Sequence, residues 1–191
     1  MRGGRGRLEL LALILAASLV SCGYSAGIRP PQGIESVGLA VFGNDSEFPE
    51  LERELYTALS EELSQAVDTQ LRAPDRADLV IRGRILQYRR IRGIMGRSSE
   101  LQESGVHIRL MGWLYDARRG GQLGEPIELE ETVRYIVHVR GEEPHARRQA
   151  LRSLSQELVL NLFSQANYES ATEPEEEPPE PAADPPTAEG D

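Results

Sequence analysis

The sequence contains no lysine, one cysteine, three histidines and only ten aromatic side chains in 191 residues. A single cysteine excludes an internal disulfide framework and any metal site built from cysteine pairs. Without lysine, every strong cation is an arginine: 21 Arg stand against 31 Asp and Glu, a net charge of −10. That balance argues against a nucleic acid as partner. The longest apolar run, Leu10 to Val20, has eleven residues, whereas a helix crossing a hydrocarbon core of ~30 Å needs ~20. His107, His138 and His145 have no cysteine or acidic residue at metal-ligand spacing, so neither a zinc centre nor a bound cofactor is expected. No Ser/His/Asp arrangement occurs in a motif context, which leaves hydrolase chemistry without support. The glycines of "RGIMGRSSE" lead from one strand to another and not to a helix N-terminus, so this stretch reads as a hairpin loop and not as a phosphate-binding loop. The chain is expected not to be an enzyme.

What is present begins with Arg2, Arg5 and Arg7 ahead of the apolar run, the form of a secretory signal peptide. Its end, Leu19-Val20-Ser21-Cys22, has the form of a bacterial lipobox, with an aliphatic residue three positions before the cysteine and a small one next to it. Residues 1–21 are expected to be removed and Cys22 to be lipidated. One acyl chain anchors only reversibly and two or three make attachment lasting. Gly23 after the cysteine favours the outer membrane among lipoproteins. Residues 22–33, with Pro30-Pro31, form a lipidated tether. At the other end, "ESATEPEEEPPEPAADPPTAEGD" (169–191) carries nine acids, no arginine and almost nothing to bury; it reads as disordered. It is a solvated extension, or else a spacer or a bait for basic partners. Between them lies one domain, 34–168.

Within that domain "IESVGLAVF" (34–42) is apolar on both faces, as a covered strand is. "GNDSEFPE" supplies capping residues, and Leu51, Leu55, Leu59, Leu63 and Val67 recur at helical spacing, predicting a helix over 49–71. Period two then predicts three strands: "ADLVIRGRILQYRR", "GVHIRLMGWLYDA" and "IELEETVRYIVHV". A closing helix over 144–165 carries Leu151, Leu154, Leu158, Leu162 and Phe163. The order β-α-β-β-β-α predicts an α+β two-layer sandwich: a four-stranded mixed sheet with two helices on one face. Alternation places Arg82, Arg84, Arg109 and Arg134 on the opposite face with Tyr88, Trp113 and Tyr115. That face is either a solvated surface with arginine stems over aromatic rings or a binding surface, because Arg and Trp are enriched where surfaces meet partners.

The lipobox with Cys-Gly-Tyr, followed by "PPQGIESVGLAVFGNDSEFPELERELYTALSEEL", "DRADLVIRGRILQYRR" and "IRLMGWLYDARRGGQLGEP", resembles the LPS-assembly lipoprotein family LptE of Gram-negative bacteria, over about Leu19 to Ala166. The resemblance implies a lipid-anchored outer-membrane subunit whose domain lies on the periplasmic side or inside the lumen of the LptD β-barrel. It also implies support of the barrel's assembly and contact with lipopolysaccharide. On it, Arg82, Arg84, Arg109, Arg134 and Trp113 are the expected contacts to lipopolysaccharide phosphate or to acidic residues of the barrel lumen. The alternative is a lipoprotein adaptor of another envelope secretion or channel complex.

Overall fold

The computed structural model describes residues 27–93, 103–137 and 141–172. The signal peptide, Cys22 and nearly all of the acidic tail therefore lie outside the described residues. The chain runs β1 (Ser36–Leu39), β2 (Gly43–Asn44), α1 (Leu51–Ala66), β3 (Gln70–Arg72), β4 (Leu79–Arg92), β5 (Glu103–Asp116), β6 (Gly121–Ile136) and α2 (Glu142–Thr172).

The α+β class and the mixed sheet are as expected, but the sheet has six strands and not four. Its order is β3-β1-β4-β5-β6, with β2 also paired to β4. Two short elements account for the difference. The first expected strand is interrupted after Leu39 and resumes as β2, which pairs Gly43 with Arg84 and Asn44 with Ile85. The first helix stops at Ala66 and not at residue 71, because the chain turns extended at Val67. Gln70–Arg72 then pairs parallel with Ser36–Gly38. The closing helix is longer than its apolar stripe and runs to Thr172.

Both helices lie on one face of the sheet and share its core. Leu51, Leu55, Leu59 and Leu63 from α1 meet Leu151, Leu154, Leu158, Leu162 and Phe163 from α2 over Ile81, Ile85, Ile108, Leu110 and Leu114. Gly83 and Gly112 are directly opposite each other in this face, and the hollow they leave is filled by the Phe42 ring and by Leu158. The expected capping residues of "GNDSEFPE" do not cap α1, whose N-cap Glu50 makes no side-chain cap bond; Asn44 instead builds the turn before it, its Oδ1 accepting from Ser46 N–H and its Nδ2 donating to Phe48 O and Glu52. The start of α2 is fixed by Glu143, which accepts from Tyr88, Tyr135 and Arg90. Arg147 makes a bidentate pair with Glu54 at 2.9 Å, joining the two helices.

Candidate functional site

The face of the sheet away from the helices is formed chiefly by the outward residues of β4, β5 and β6. Along β4 these are Arg82, Arg84, Gln87 and Arg89; along β5, Tyr115, Trp113, Met111, Arg109 and His107; along β6, Glu128, Glu130, Thr132 and Arg134. The β4 row is thus cationic, the β5 row largely aromatic and mixed, and the β6 row acidic over its middle.

The expected residues fall on this face with one exception. Tyr88 points the other way, because a register shift between Ile85 and Gln87 inserts Leu86 as an extra residue in β4. A bulge of one residue reverses the facing of everything after it. Tyr88 therefore pairs with Ile108 on the core side, stacks at 4.5 Å on Phe48 and bonds to Glu143. Burial raises the Tyr88 phenol above its usual 10.0, with the Glu143 carboxylate adding to the effect. Arg89 takes its place outside, opposite His107. The adjacent apolar pair Ile85-Leu86 is the break in alternation that marks the shift in the sequence.

The arginines are spread along a stripe and are held in different ways. Arg82 is exposed, sits opposite Trp113 and lies over the Tyr115 ring at 3.9 Å from its centroid, a geometry in which the ring's electron-rich face attracts the guanidinium. Arg84 pairs with Asp45 at 2.6 Å, which raises the pKa of its guanidinium through the hydrogen bond and then the charge. Arg109 approaches Glu128 at 3.4 Å, and its Nε is buried without a hydrogen-bond partner. Arg134 is exposed opposite Gly105, four residues along β5 from Arg109, or about 13 Å at ~3.3 Å per residue. Among the described residues Arg82, Arg89 and Arg134 form no ion pair. Trp113 is half-buried and faces the stretch Gly124–Pro126, where β6 leaves its register.

His107 is buried on this face, with its Nδ1 3.0 Å from the Thr132 hydroxyl, whereas His145 is exposed at the start of α2. No group of three or more His, Cys, Asp and Glu among the described residues is placed to hold a metal ion. A cleft of about 240 Å³ between α1 and α2 is lined by Glu54, Ala58, Glu61, Arg148, Leu151 and Arg152. Its Glu54 is already engaged by Arg147.

Residues 34–178 match the family model LptE, described as lipopolysaccharide-assembly. None of the curated proteins matches the chain. Among solved structures, an uncharacterized lipoprotein B from Nitrosomonas europaea is similar at 13% identity and a TM-score of 0.50, over 76% of this chain and 94% of that one. A minor lipoprotein from Acinetobacter baumannii is similar at 18% identity and a TM-score of 0.41, over 69% of this chain and 92% of that one. At such identities the first of these shows a shared fold.

Proposed function

The chain belongs to the LptE family of lipopolysaccharide-assembly proteins, and from that premise we propose that it is a non-enzymatic subunit held at the outer membrane by lipid on Cys22. There it supports an LptD-like β-barrel and touches lipopolysaccharide through the outer sheet face. The observation that carries the reading is the row of exposed Arg82 with half-buried Trp113 and Tyr115, on a sheet face that no helix covers among the described residues. Arg82 is held over a ring and is free of protein carboxylates among the described residues, so its donors are available to an incoming anion. Guanidinium groups bind phosphate through paired hydrogen bonds that lysine does not reproduce, and the phosphates of lipid A are anions of that kind. Arg109, whose Nε lies 3.4 Å from Glu128, extends the row towards Arg134, while Trp113 supplies apolar contact to the partner. Family membership weighs for this role over an adaptor of another envelope complex.

Replacing Arg82 and Arg109 together by Glu tests it. Each charge-assisted bond contributes ~1.5–3 kcal/mol, so affinity for lipopolysaccharide, or recovery of the barrel after solubilisation, should fall at least about tenfold while the circular dichroism spectrum stays native. A folded double variant that keeps both associations unchanged refutes the face as the working surface.

A further inference from the structure

Arg82, Arg89 and Arg134 form no ion pair among the described residues, and the chain itself carries a polyanion able to reach them. Residues 173–191 hold eight carboxylates and six prolines, with no arginine, and they follow directly on the last turn of α2. One to two turns before its end, α2 packs against the end of the sheet where β5 stops and β6 starts. There Asn167 Nδ2 donates to Arg29 O at 3.0 Å, and Gln165 lies against Gly124. The outer face of the same end carries Tyr115, Trp113 and Arg82, since Tyr115 pairs with Gln122 at the start of β6 and Arg82 with Trp113.

The path from α2 to that face runs round the free edge of β6, which pairs only with β5 among the described residues. It spans about two strand spacings, roughly 10 Å, and the thickness of a helix layer, roughly 10 Å. Nineteen residues of Pro-rich chain reach about 60 Å at ~3.1 Å each. The segment is long enough to round the edge and then follow the arginine stripe.

We propose that the acidic segment 173–191 binds across the arginine and aromatic face of its own sheet and competes there with the anionic ligand. The identity of the competitor rests on the reading of that face given above, whereas the contact itself does not. Exposed ion pairs are individually weak and fade with salt, but a tethered partner acts at an effective concentration of about millimolar. The contact is therefore partial and quickly reversible. It shields the arginines from stray anions and gives way to a surface that presents many phosphates at once.

Trp113 is the only tryptophan and reports on the contact. The comparison is between the full chain and a chain of the same length in which every acid from 173 to 191 is changed to Gln or Asn. At about 50 mM NaCl the Trp113 indole resonance should differ between the two, and at about 0.5 M, where the screening length falls to a few ångströms, the two should converge. A synthetic 173–191 peptide added to the neutralised chain should restore the native resonance, and should fail to do so once Arg82→Gln and Arg134→Gln are present. The neutralised chain should bind detergent micelles carrying lipopolysaccharide about threefold more tightly or better at low salt. Identical Trp113 resonances at low salt overturn the contact, and so does a peptide effect indifferent to the two arginines. A changed resonance with equal affinity for the micelles overturns the competition. Failure of the arginine-face reading shows separately, as native lipopolysaccharide binding by the chain with Arg82→Glu and Arg109→Glu.

Discussion

At the scale of single residues, close packing between the sheet and its cover is set by side chains that are missing. Gly83 and Gly112 face each other across β4 and β5 on the core side, which lets the Phe42 ring drop between the strands and Leu158 of α2 approach the sheet. A Cβ at Gly83 would overlap both the Phe42 ring and the Met111 carbonyl, and one at Gly112 would sit 2.9 Å from the Leu158 methyls. The carbonyl is backbone and cannot swing aside, so overpacking here exceeds its usual range of ~1–3 kcal/mol. Gly83→Ala should therefore cost about 3 kcal/mol or more, read as a fall in the urea midpoint at unchanged slope. Gly121 has open space around its Cα, and Gly121→Ala should stay within about 0.5 kcal/mol of the native chain. Equal midpoints for the two variants would show that the hollow is not as tight as this packing requires. Elsewhere the backbone itself is unusual: Glu50, just before α1, is the one non-glycine residue with positive φ among those described, at 63°. Its carbonyl still accepts from Arg53 and Glu54 N–H, so the left-handed turn sets the entry of the helix.

At the scale of elements, short polar links fix where each strand and helix begins. Asp78, just before β4, accepts the Ser36 hydroxyl at 2.8 Å and the N–H groups of Ser36 and Glu35, while the Ser36 hydroxyl accepts from Asp78 N–H. This closed set locks the start of β1 to the start of β4. The Ser36 hydroxyl above all, then the two N–H groups and Arg118, lower the Asp78 pKa below 3.8 against the opposing pull of desolvation. A carboxyl depressed in the folded state stabilises above its unfolded pKa, and that contribution is lost as pH falls through the lower folded value. As the pH falls below the ordinary carboxylate value of about 4, then, the native chain should lose stability that Asp78→Asn does not have to lose. Urea midpoints at pH 5 and pH 3 check this: the variant should be weaker at pH 5 and less sensitive to the drop, and parallel behaviour would remove Asp78 from the account. Such links are nearly invisible in a sequence, and this explains which parts of the fold were legible. The stripe Leu51, Leu55, Leu59, Leu63 gave α1 because burial along one helix face leaves a period. The end at Ala66 did not show, because Val67 still fits that period while it already belongs to the extended segment leading to β3. Likewise Arg82, Arg84, Arg109, Trp113 and Arg134 could be placed on one face by alternation alone. Tyr88 could not, because one bulged residue costs the pattern little and reverses all that follows.

At the scale of the whole molecule, the two layers divide the work. The helices close the core on one side, and the other side of the sheet, which no helix covers among the described residues, carries a cationic row, an aromatic row and an acidic row. From Cys22 to Tyr168 the chain carries 18 Arg against 21 acids, so the excess negative charge is concentrated in the sequence after Tyr168. Among the described residues no helix is long and apolar enough to cross a membrane. On the proposed reading, attachment depends on lipid at Cys22, and because Ile28 already pairs with Val67, the five residues Gly23–Gly27 keep the domain within about 17 Å of the bilayer at ~3.3 Å per residue. Two or three acyl chains hold effectively, since each buried methylene contributes ~0.8 kcal/mol; removing the thiol removes all of them together. Cys22→Ala should therefore yield an uncleaved precursor or a soluble periplasmic form, while the purified domain melts as the native one does. The decisive measurement is fractionation in cells depleted of the β-barrel, so that a protein partner cannot retain the chain. If the variant still sediments with the outer membrane after a high-salt wash, another part of the chain holds it there, and lipid on Cys22 is not the anchor.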